Sequence, residues 1–376
     1  MKVILHMGSA KTGTTSLQAG LDKIRPQLRQ AGFHVPEPRG RLKDYHHVLL
    51  GLLERPDAIG PRKRKRYGSF DETLRTAIRF VSDARSDAEA SGCHTVVLST
   101  ELIYSGSREE LFRLRDRLGE LSTDIQPVVY VREPASLYKS QLQQRAKRLS
   151  FRRPEKTAWI RERYGIFEEI FGRKPVVRAF DRAQLTGGDI LDDFCIDVLG
   201  LDHLKGKLPR IERNTSLSAE TTRALLHYGD FLEDIGKDRS DKAVDVIRKS
   251  FTRFEDRDGI LTRLRLKPEV VSAVRRSAED YFWLRDEYGI SFPELDYDAI
   301  HADHAKELER FDSPEDVFDW DEKKLAWLLL SVMYDMHGAS RPGRADTEEA
   351  NEDDPSAAGP RPAGPSFWRR LFGFGR

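Results

Sequence analysis

The sequence predicts a three-layer α/β/α protein with a central parallel sheet, followed by a mostly helical C-terminal subdomain. Three observations lead to this fold class. Short apolar runs alternate with longer amphipathic stretches over residues 1–212, which is the order that gives parallel strands joined by helices. Residues 213–338 carry helical apolar spacing. Residues 339–376 are rich in Pro, Gly, Ala and acids, a composition that predicts a disordered tail.

The composition describes a soluble globular protein. The chain has 376 residues, a net charge of +1, 33% charged and 39% hydrophobic residues. This balance gives no indication of a nucleic acid partner. No apolar run approaches the about 20 residues of a membrane span, and the first strand directly follows Lys2, so we expect no signal peptide. We therefore expect a cytoplasmic protein, with Cys93 and Cys195 as buried thiols and not as a disulfide or a metal pair.

The first strand leads into a loop suited to binding an anion. Residues 5–17 read LHMGSAKTGTTSL, so a buried apolar strand is joined to a helix start through small and hydroxylated residues and one lysine. Gly8 and Gly13 allow a sharp turn and a close approach of the backbone to an anion. The helix that begins near Thr14 directs N–H groups and its positive dipole end toward the same place. The candidate ligands of this loop are Ser9, Ala10, Lys11, Thr12, Gly13, Thr14 and Thr15.

The loop is P-loop-like but differs from the loop of nucleotide triphosphatases. In that loop a lysine and a Ser or Thr directly follow the second glycine. Here Thr14 follows Gly13, and Lys11 precedes that glycine by two places. The spacing argues against an ordinary Mg-nucleotide site. A plain connection between strand and helix is the alternative interpretation of the loop.

A second candidate phosphate site follows the strand at residues 128–131. Arg132 lies at the end of this strand, and Pro134 is suited to the first turn of the next helix. Ser140 comes eight residues after Arg132, about two helical turns later at about 3.6 residues per turn. A guanidinium and a hydroxyl together suit a phosphate group. The alternative is an ordinary surface arginine at a strand end.

The two motifs together resemble the nucleotide-binding elements of the sulfotransferases that use 3′-phosphoadenylyl sulfate (PAPS). That family has a Lys-x-Gly-Thr-Thr run after its first strand, and an Arg-x-Pro with a serine eight places after the arginine. The resemblance implies that Lys11 and its loop hold the 5′-phosphosulfate, that Arg132 and Ser140 hold the 3′-phosphate, and that residues 1–212 form the PAPS-binding core. It also implies that PAPS is the co-substrate and that no metal is required. We find no metal-ligand cluster with recognisable spacing in the sequence.

A third, looser resemblance extends to the middle of the chain. Residues 174–180 read as a strand, and a turn and a helix ending at Gly200 follow, as in the family. Residues 210–218 read RIERNTSLS and are similar to a segment that closes over the nucleotide in bacterial polysaccharide-type relatives. This similarity implies nucleotide contacts for Arg213, Asn214 and Ser216. The same residues are also typical of an ordinary helix N-cap.

The catalytic base has three candidates. A buried strand at residues 95–99 delivers Glu101 to the carboxyl edge of the sheet, where ligands bind in open parallel sheets. Glu101 is the leading candidate, although an acid at that position also suits a helix start or an ion pair. His46 and His47 are the further candidates, because histidine titrates near neutrality. Both histidines precede a helical stretch, where a structural role is the alternative.

The acceptor is not specified by any motif. Basic clusters at residues 62–66 and 145–153 favour an anionic saccharide or a polysaccharide precursor, although a solvated charge run is the simpler interpretation of the first cluster. A small metabolite and a lipid-linked sugar stay open. Residues 366–376 read SFWRRLFGFGR and suit a weak contact with a partner protein or with the inner membrane surface, or a plain unstructured end.

The sequence therefore predicts an enzyme that transfers a sulfuryl group from PAPS to an acceptor hydroxyl, most simply on a saccharide. The helical subdomain at residues 213–338 is expected to complete the nucleotide site and to cover the acceptor side. Two alternatives stay open. One is a catalytically inactive nucleotide- or glycan-binding protein of the same fold, and the other is a P-loop nucleotide kinase.

Overall fold

A computed structural model describes the chain at residues 1–9, 11–37, 45–53, 68–101, 103–156, 159–211, 216–239, 242–254, 260–303, 308 and 310–339. Three features singled out in the sequence lie outside these residues: the basic cluster at 62–66, the pair Arg213 and Asn214, and all of the predicted tail at 339–376 except Ala339.

A five-stranded parallel sheet forms the centre of the α/β fold, and this confirms the predicted fold class. The strand order is β2-β3-β1-β4-β5, and every pairing is parallel. The strands are β1 (Lys2–Met7), β2 (Phe33–His34), β3 (Thr95–Thr100), β4 (Ile125–Val131) and β5 (Val176–Ala179). β1 is the central strand, paired with β3 on one side and β4 on the other, and its run VILHM is buried along its whole length. Its carboxyl end therefore lies between the ends of β3 and β4.

The helices that alternate with these strands pack on the sheet, and those after residue 216 form the predicted helical part. The helices of the described residues are α1 (Thr14–Lys23), α2 (Arg25–Gln30), α3 (Tyr45–Gly51), α4 (Phe70–Ala90), α5 (Arg108–Leu118), α6 (Pro134–Ala146), α7 (Ile160–Phe171), α8 (Ile190–Asp193), α9 (Ala219–Asp234), α10 (Lys242–Arg253), α11 (Pro268–Arg276), α12 (Asp280–Tyr288), α13 (Tyr297–Asp303), α14 (Pro314–Val317) and α15 (Glu322–Ala339). Short 3₁₀ turns occur at Thr186–Gly188 and Asp202–Leu204, and a π-helical turn, Phe194–Val198, continues α8.

Helix starts follow local capping chemistry. Ser69 begins α4 with a capping box in which its hydroxyl accepts from the Glu72 backbone and the Glu72 carboxylate accepts from the Ser69 backbone. Ser107 and Glu110 form the same box at the start of α5. Such boxes satisfy N–H groups that have no acceptor within the helix. The sequence thus specifies these two boundaries locally.

The amphipathic stretch after the loop, which suits one helix over residues 16–31, forms two helices. α1 ends at Lys23, and α2 begins at Arg25 with Pro26 in its first turn. Proline has no backbone N–H to donate to a preceding turn, so the continuous helix is interrupted here. Gly32 then turns the chain into β2 with a φ of 84°. β2 was not predicted, because two residues are too short to show a strand period.

Contacts divide the chain into two compact units that interleave along the sequence. Unit 1 consists of Met1–Tyr138, Glu155–Asn214 and Ser272–Leu308, and it contains the sheet. Unit 2 consists of Lys139–Pro154, Thr215–Val271 and Glu309–Arg376. The domain boundary at residue 212 stays a prediction.

Unit 2 is organised by α9, α10 and α15, which pack against one another. Its buried Glu220 joins two distant segments, since its carboxylate accepts from the backbone of Thr262 at 2.8 Å and of Asp321 at 3.1 Å. Arg223 is also buried and lies over the Trp320 ring, with its guanidinium carbon 4.5 Å from the ring centroid. The helical segments are thus tied together by polar as well as apolar contacts.

A buried carboxylate, that of Asp193, joins β4 and β5 to α8. Arg178 donates to both carboxylate oxygens of Asp193, at 3.0 and 2.5 Å, and the Tyr130 hydroxyl donates to the same carboxylate at 2.9 Å. Burial raises the pKa of Tyr130 well above its ordinary value, and the Asp193 charge adds to the rise. Tyr130 therefore stays a hydrogen-bond donor at physiological pH and holds this strand in place.

Both cysteines are buried free thiols, as predicted. Among the described residues, no helix combines the length and the apolar character needed to cross a bilayer.

Candidate functional site

The loop after β1 is fastened to the strands on either side. The Gly8 backbone N–H donates to the Thr100 carbonyl at the end of β3, at 2.9 Å. The Ser9 hydroxyl donates to the Tyr130 carbonyl in β4, at 2.8 Å. The loop therefore stands at the carboxyl edge of the sheet, which is where ligands bind in open parallel sheets.

The loop backbone contains two left-handed residues. Lys11 has a φ of 68° and Gly13 a φ of 76°. Between them, Thr12 is fully buried and its hydroxyl closes the turn by donating to the Ser9 carbonyl at 2.8 Å. Left-handed residues are typical of the backbone nests that hold phosphate groups, and an uncommon φ at a residue other than glycine points to a functional constraint.

Thr14 supplies a hydroxyl that suits a ligand in the loop. It is the first residue of α1, it is 1% exposed, and its Oγ1 has no hydrogen-bond partner among the described residues. A Cβ placed on Gly8 would lie well under 3.0 Å from this oxygen. The absence of a side chain at Gly8 thus allows the buried Thr14 hydroxyl to lie against the loop backbone, and a hydroxyl at this place suits a phosphate group bound by the loop. Thr15, the next residue of the helix, is exposed.

Arg132 brings the second motif to this loop. It directly follows β4, and its Nη1 donates to the Lys11 carbonyl at 3.0 Å. Its Nε donates to the Ser136 hydroxyl at 2.9 Å, and its guanidinium carbon is 5.6 Å from the centroid of the Phe180 ring. Burial lowers the pKa of Arg132, and the adjacent Glu133 carboxylate opposes that shift. Lys11 and Arg132, predicted from separate motifs, are therefore in direct contact.

Glu133 supports Arg132 and was missed in the sequence. It is 7% exposed, and its carboxylate accepts from the backbone N–H groups of Ala135 at 3.1 Å and Ser136 at 2.6 Å, which caps α6. It also pairs with Arg275, whose Nε lies 2.9 Å from its Oε1. An acid directly before a proline that begins a helix is a recognisable capping signal, so the sequence did carry this information.

Glu101 lies beside the loop. It follows the last residue of β3 and is half-buried. A Cβ on Gly8 would lie 3.1 Å from the Glu101 Cγ, so this side chain lies against the loop backbone. The structure thus places the leading candidate base next to the candidate phosphate loop.

A buried polar cluster stands behind the loop and was also missed. His6 of β1 is fully buried, and its Nδ1 is 2.8 Å from the Ser99 Oγ of β3. Gln18 of α1 donates through Nε2 to the Ser99 carbonyl at 2.9 Å. The cluster links β1, β3 and α1, the three elements that carry the loop and Glu101. The signal in the sequence was His6, a polar residue inside an otherwise apolar strand.

The other predicted site residues are not assembled with the loop by any described contact. His46 and His47 lie in α3, and their side chains, like Ala10, fall outside the described residues. Ser140 lies in α6 within unit 2, and Ser216 is an exposed residue of unit 2. In the part of the chain that the structure describes, no group of three or more His, Cys, Asp and Glu side chains could hold a metal ion.

Comparison with known proteins gives two structural likenesses. No protein-family model and no curated protein matches the chain. A sulfotransferase from Alicyclobacillus acidocaldarius is 20% identical with a TM-score of 0.30, over 63% of this chain and 97% of its own. A structure from the PezAT chromosomal toxin-antitoxin system of the human pathogen Streptococcus pneumoniae is 12% identical with a TM-score of 0.25, over 62% of this chain and 85% of its own. At these TM-scores neither likeness decides what this chain binds or transfers.

Proposed function

We propose that this chain transfers a sulfuryl group from PAPS to an acceptor hydroxyl. One observation carries the proposal: Arg132 donates to the carbonyl of Lys11, so the two candidate phosphate ligands meet at the carboxyl edge of the sheet. One nucleotide with phosphate groups at both its 3′ and 5′ positions would engage both ligands. The lysine position within the loop, before Gly13 and not after it, favours PAPS over a Mg-bound nucleoside triphosphate.

The residues at the site suit each part of the transfer. When bound, PAPS supplies the sulfuryl group and leaves as adenosine 3′,5′-bisphosphate. The acceptor oxygen forms the new bond to sulfur while the bond from sulfur to the 5′-phosphate oxygen breaks. Lys11, the loop N–H groups and the Thr14 hydroxyl would stabilise the charge that develops on the departing phosphate. Glu101 would take the proton of the acceptor hydroxyl, with His46 and His47 as the alternative bases.

The further proposals concern the rest of the predicted site. Ser140, Arg213, Asn214 and Ser216 are proposed to complete the nucleotide site. An anionic saccharide or polysaccharide precursor is the proposed acceptor, because the basic cluster at residues 145–153 would attract negative charge.

The first test is isothermal titration with adenosine 3′,5′-bisphosphate and, separately, with ATP and Mg²⁺. We expect micromolar or tighter binding of the bisphosphate, loss of at least ten-fold in the Arg132→Ala variant, and much weaker binding of ATP. A preference for ATP with Mg²⁺ would support the kinase alternative. No binding of the bisphosphate would overturn the proposed function.

The second test separates transfer from binding. The Glu101→Gln variant keeps the shape of the side chain but cannot accept a proton as a carboxylate does. We expect it to bind the bisphosphate like the wild type and to lose at least 100-fold in transfer of labelled sulfate from PAPS to saccharide acceptors. Glu162→Gln, an exposed acid in the first turn of α7, is the matched control. Bisphosphate binding without transfer to any acceptor would instead favour an inactive binding protein.

A further inference from the structure

We propose that Arg132 also holds the candidate phosphate loop after β1 in the conformation that binds the nucleotide. One side chain would thereby couple the site of the 3′-phosphate to the site of the 5′-phosphate. The inference rests on the proposed function for its nucleotide, and on the contacts of Arg132 for its physical basis. It assigns Arg132 a positioning role in addition to the phosphate contact predicted from the sequence.

The loop needs an external restraint because Lys11 is left-handed. Its φ of 68° is a conformation that L-residues other than glycine seldom adopt, since Cβ approaches the following carbonyl oxygen. Such a conformation persists only where the surroundings enforce it. The Arg132 Nη1 donates to the carbonyl of Lys11 itself, at 3.0 Å. This hydrogen bond therefore restrains the peptide unit of the left-handed residue.

Arg132 is itself held firmly enough to impose that orientation. Ser136 accepts from its Nε at 2.9 Å, and the Phe180 ring lies beside its guanidinium. The Tyr281 hydroxyl donates to the backbone carbonyl of Arg132. Phe180 also packs against the loop, because a Cβ on Gly13 would lie 2.6 Å from its ring. The contacts with Ser136, Phe180 and Tyr281 therefore hold Arg132 in place without a ligand.

The guanidinium has enough donors to serve the loop and a phosphate together. An arginine presents five N–H groups in one plane, and the contacts to Lys11 and Ser136 use two of them. A phosphate bound to the remaining N–H groups would hold the guanidinium more tightly in place. The bound phosphate would thereby also fix the Lys11 carbonyl. By linkage, a phosphate bound in the loop would in turn strengthen the binding of the 3′-phosphate to Arg132.

The experiment compares two nucleotides, one with and one without the 3′-phosphate. Adenosine 3′,5′-bisphosphate reports on both sides of the site, whereas adenosine 5′-monophosphate reports on the loop alone. We expect Arg132→Ala to weaken the monophosphate about five-fold or more, in addition to a larger loss for the bisphosphate. Ser136→Ala, which leaves the guanidinium but removes one of its supports, should weaken the monophosphate by a smaller factor. If the affinity for the monophosphate is unchanged in Arg132→Ala, Arg132 contacts only the 3′-phosphate and the inference is wrong.

Arg163→Ala is the matched control for these titrations. Its Nη1 also donates to a backbone carbonyl, that of Gly106 at 2.6 Å, which lies in the turn after Glu101 and not in the loop at residues 8–17. We expect it to bind both nucleotides within two-fold of the wild type.

A measurement without ligand separates this inference from the proposed function. Hydrogen exchange followed by mass spectrometry on the free protein reports on the peptide that spans residues 8–17. We expect at least ten-fold faster exchange of this peptide in Arg132→Ala and no change in Arg163→Ala. Failure of the wild type to bind the bisphosphate would contradict the proposed function. Unchanged exchange in Arg132→Ala would contradict only the role of Arg132 in holding the loop.

Discussion

At the residue scale, the absence of a side chain at Gly8 allows two residues of the candidate site to pack against the loop backbone. The neighbours of its Cβ position are the Thr14 hydroxyl and the Glu101 side chain. We expect Gly8→Ala to weaken adenosine 3′,5′-bisphosphate binding by at least ten-fold, because the methyl group would displace Thr14 or the loop. Titration calorimetry measures this. Gly165→Ala is the matched control, since nothing lies within 4 Å of its Cβ position.

Another residue-scale prediction concerns Asp280, a buried acid that caps a helix from a distant part of the chain. Its Oδ2 accepts from the Ile160 backbone N–H at 2.6 Å, at the start of α7. Burial raises the pKa of Asp280 above its ordinary 3.8, although the N–H groups of Arg161 and Ile160 oppose the rise. The contribution of this group to the free energy of unfolding is therefore full below about pH 3.8 and falls as the pH rises through its folded-state pKa.

Asp280→Asn tests this dependence because the amide does not titrate. The wild type should lose free energy of unfolding relative to the variant as the pH rises from about 3.8 through the raised pKa of Asp280. Urea unfolding at several pH values measures both proteins under matched conditions. A difference that stays constant, or that grows in favour of the wild type as pH rises, would contradict the assigned cause.

Some residues near the candidate site could be predicted from the sequence, and others could not. Lys11, Arg132 and Glu101 follow apolar strands, so a parallel sheet brings them to one edge whatever the order of its strands. The bond from Arg132 to the Lys11 carbonyl could not be predicted, because it depends on β4 lying next to β1. His6 could not be assigned a partner for the same reason, since Ser99 becomes its neighbour only through the register of β1 with β3.

At the scale of elements, α9 packs more closely than its apolar pattern indicates. Gly229 lies in this helix, and a Cβ there would lie 2.8 Å from the carbonyl carbon of Leu149 and closer still to its oxygen. Leu149 is itself left-handed, with a φ of 58°, at the turn after α6. The helix and this turn of unit 2 therefore touch backbone to backbone, and the sequence shows only a glycine inside a helix.

Gly229→Ala should consequently destabilise the protein. The better helix propensity of alanine would add about 1 kcal/mol, but overpacking against a backbone that cannot yield costs about 1–3 kcal/mol or more. We expect a net loss of up to about 2 kcal/mol in urea unfolding. In the exposed helix position of Gly165 the same change should add up to about 1 kcal/mol. Equal effects of the two substitutions would show that the close contact is not a constraint.

Elements differ in how much of their structure is local. The two capping boxes specify the starts of α4 and α5 from a few adjacent residues. By contrast, the buried face of α4 runs through Ala77, Phe80, Val81 and Ala84, whereas the apolar residues Leu74 and Ile78 are only partly buried. The alanines of this face lie where α3 and the sheet pack against α4, and hydrophobicity alone does not report the space available there.

At the scale of the whole molecule, the two units are interleaved and cannot be separated by one cut. Ser272–Leu308 belongs to unit 1 although it follows most of unit 2 in the chain. A helical C-terminal half was predictable from apolar spacing. The return of one helical segment to the sheet-containing unit was not, because spacing along a helix says nothing about the surface that the helix covers.

The returning segment is expected to be essential for unit 1. It contributes Arg275, which pairs with Glu133, and Asp280, which caps α7. Its Tyr281, Leu284 and Phe292 are at most 1% exposed within the main core. Burying each such side chain contributes about 1.5–3 kcal/mol, so their loss together removes much of the about 5–15 kcal/mol by which a domain is ordinarily stable.

A fragment of residues 1–214 should therefore fail to fold cooperatively, even though it contains the whole sheet and the candidate phosphate loop. We expect no sigmoidal urea transition by circular dichroism and no measurable binding of adenosine 3′,5′-bisphosphate. A chain ending at Ala339 retains all three segments of unit 1 and is the matched control, with cooperative unfolding and an affinity within two-fold of the full chain. A sigmoidal transition in the 1–214 fragment would mean that the sheet and its own helices suffice, and that the contacts of Arg275, Asp280 and Tyr281 refine the site without being needed to form it.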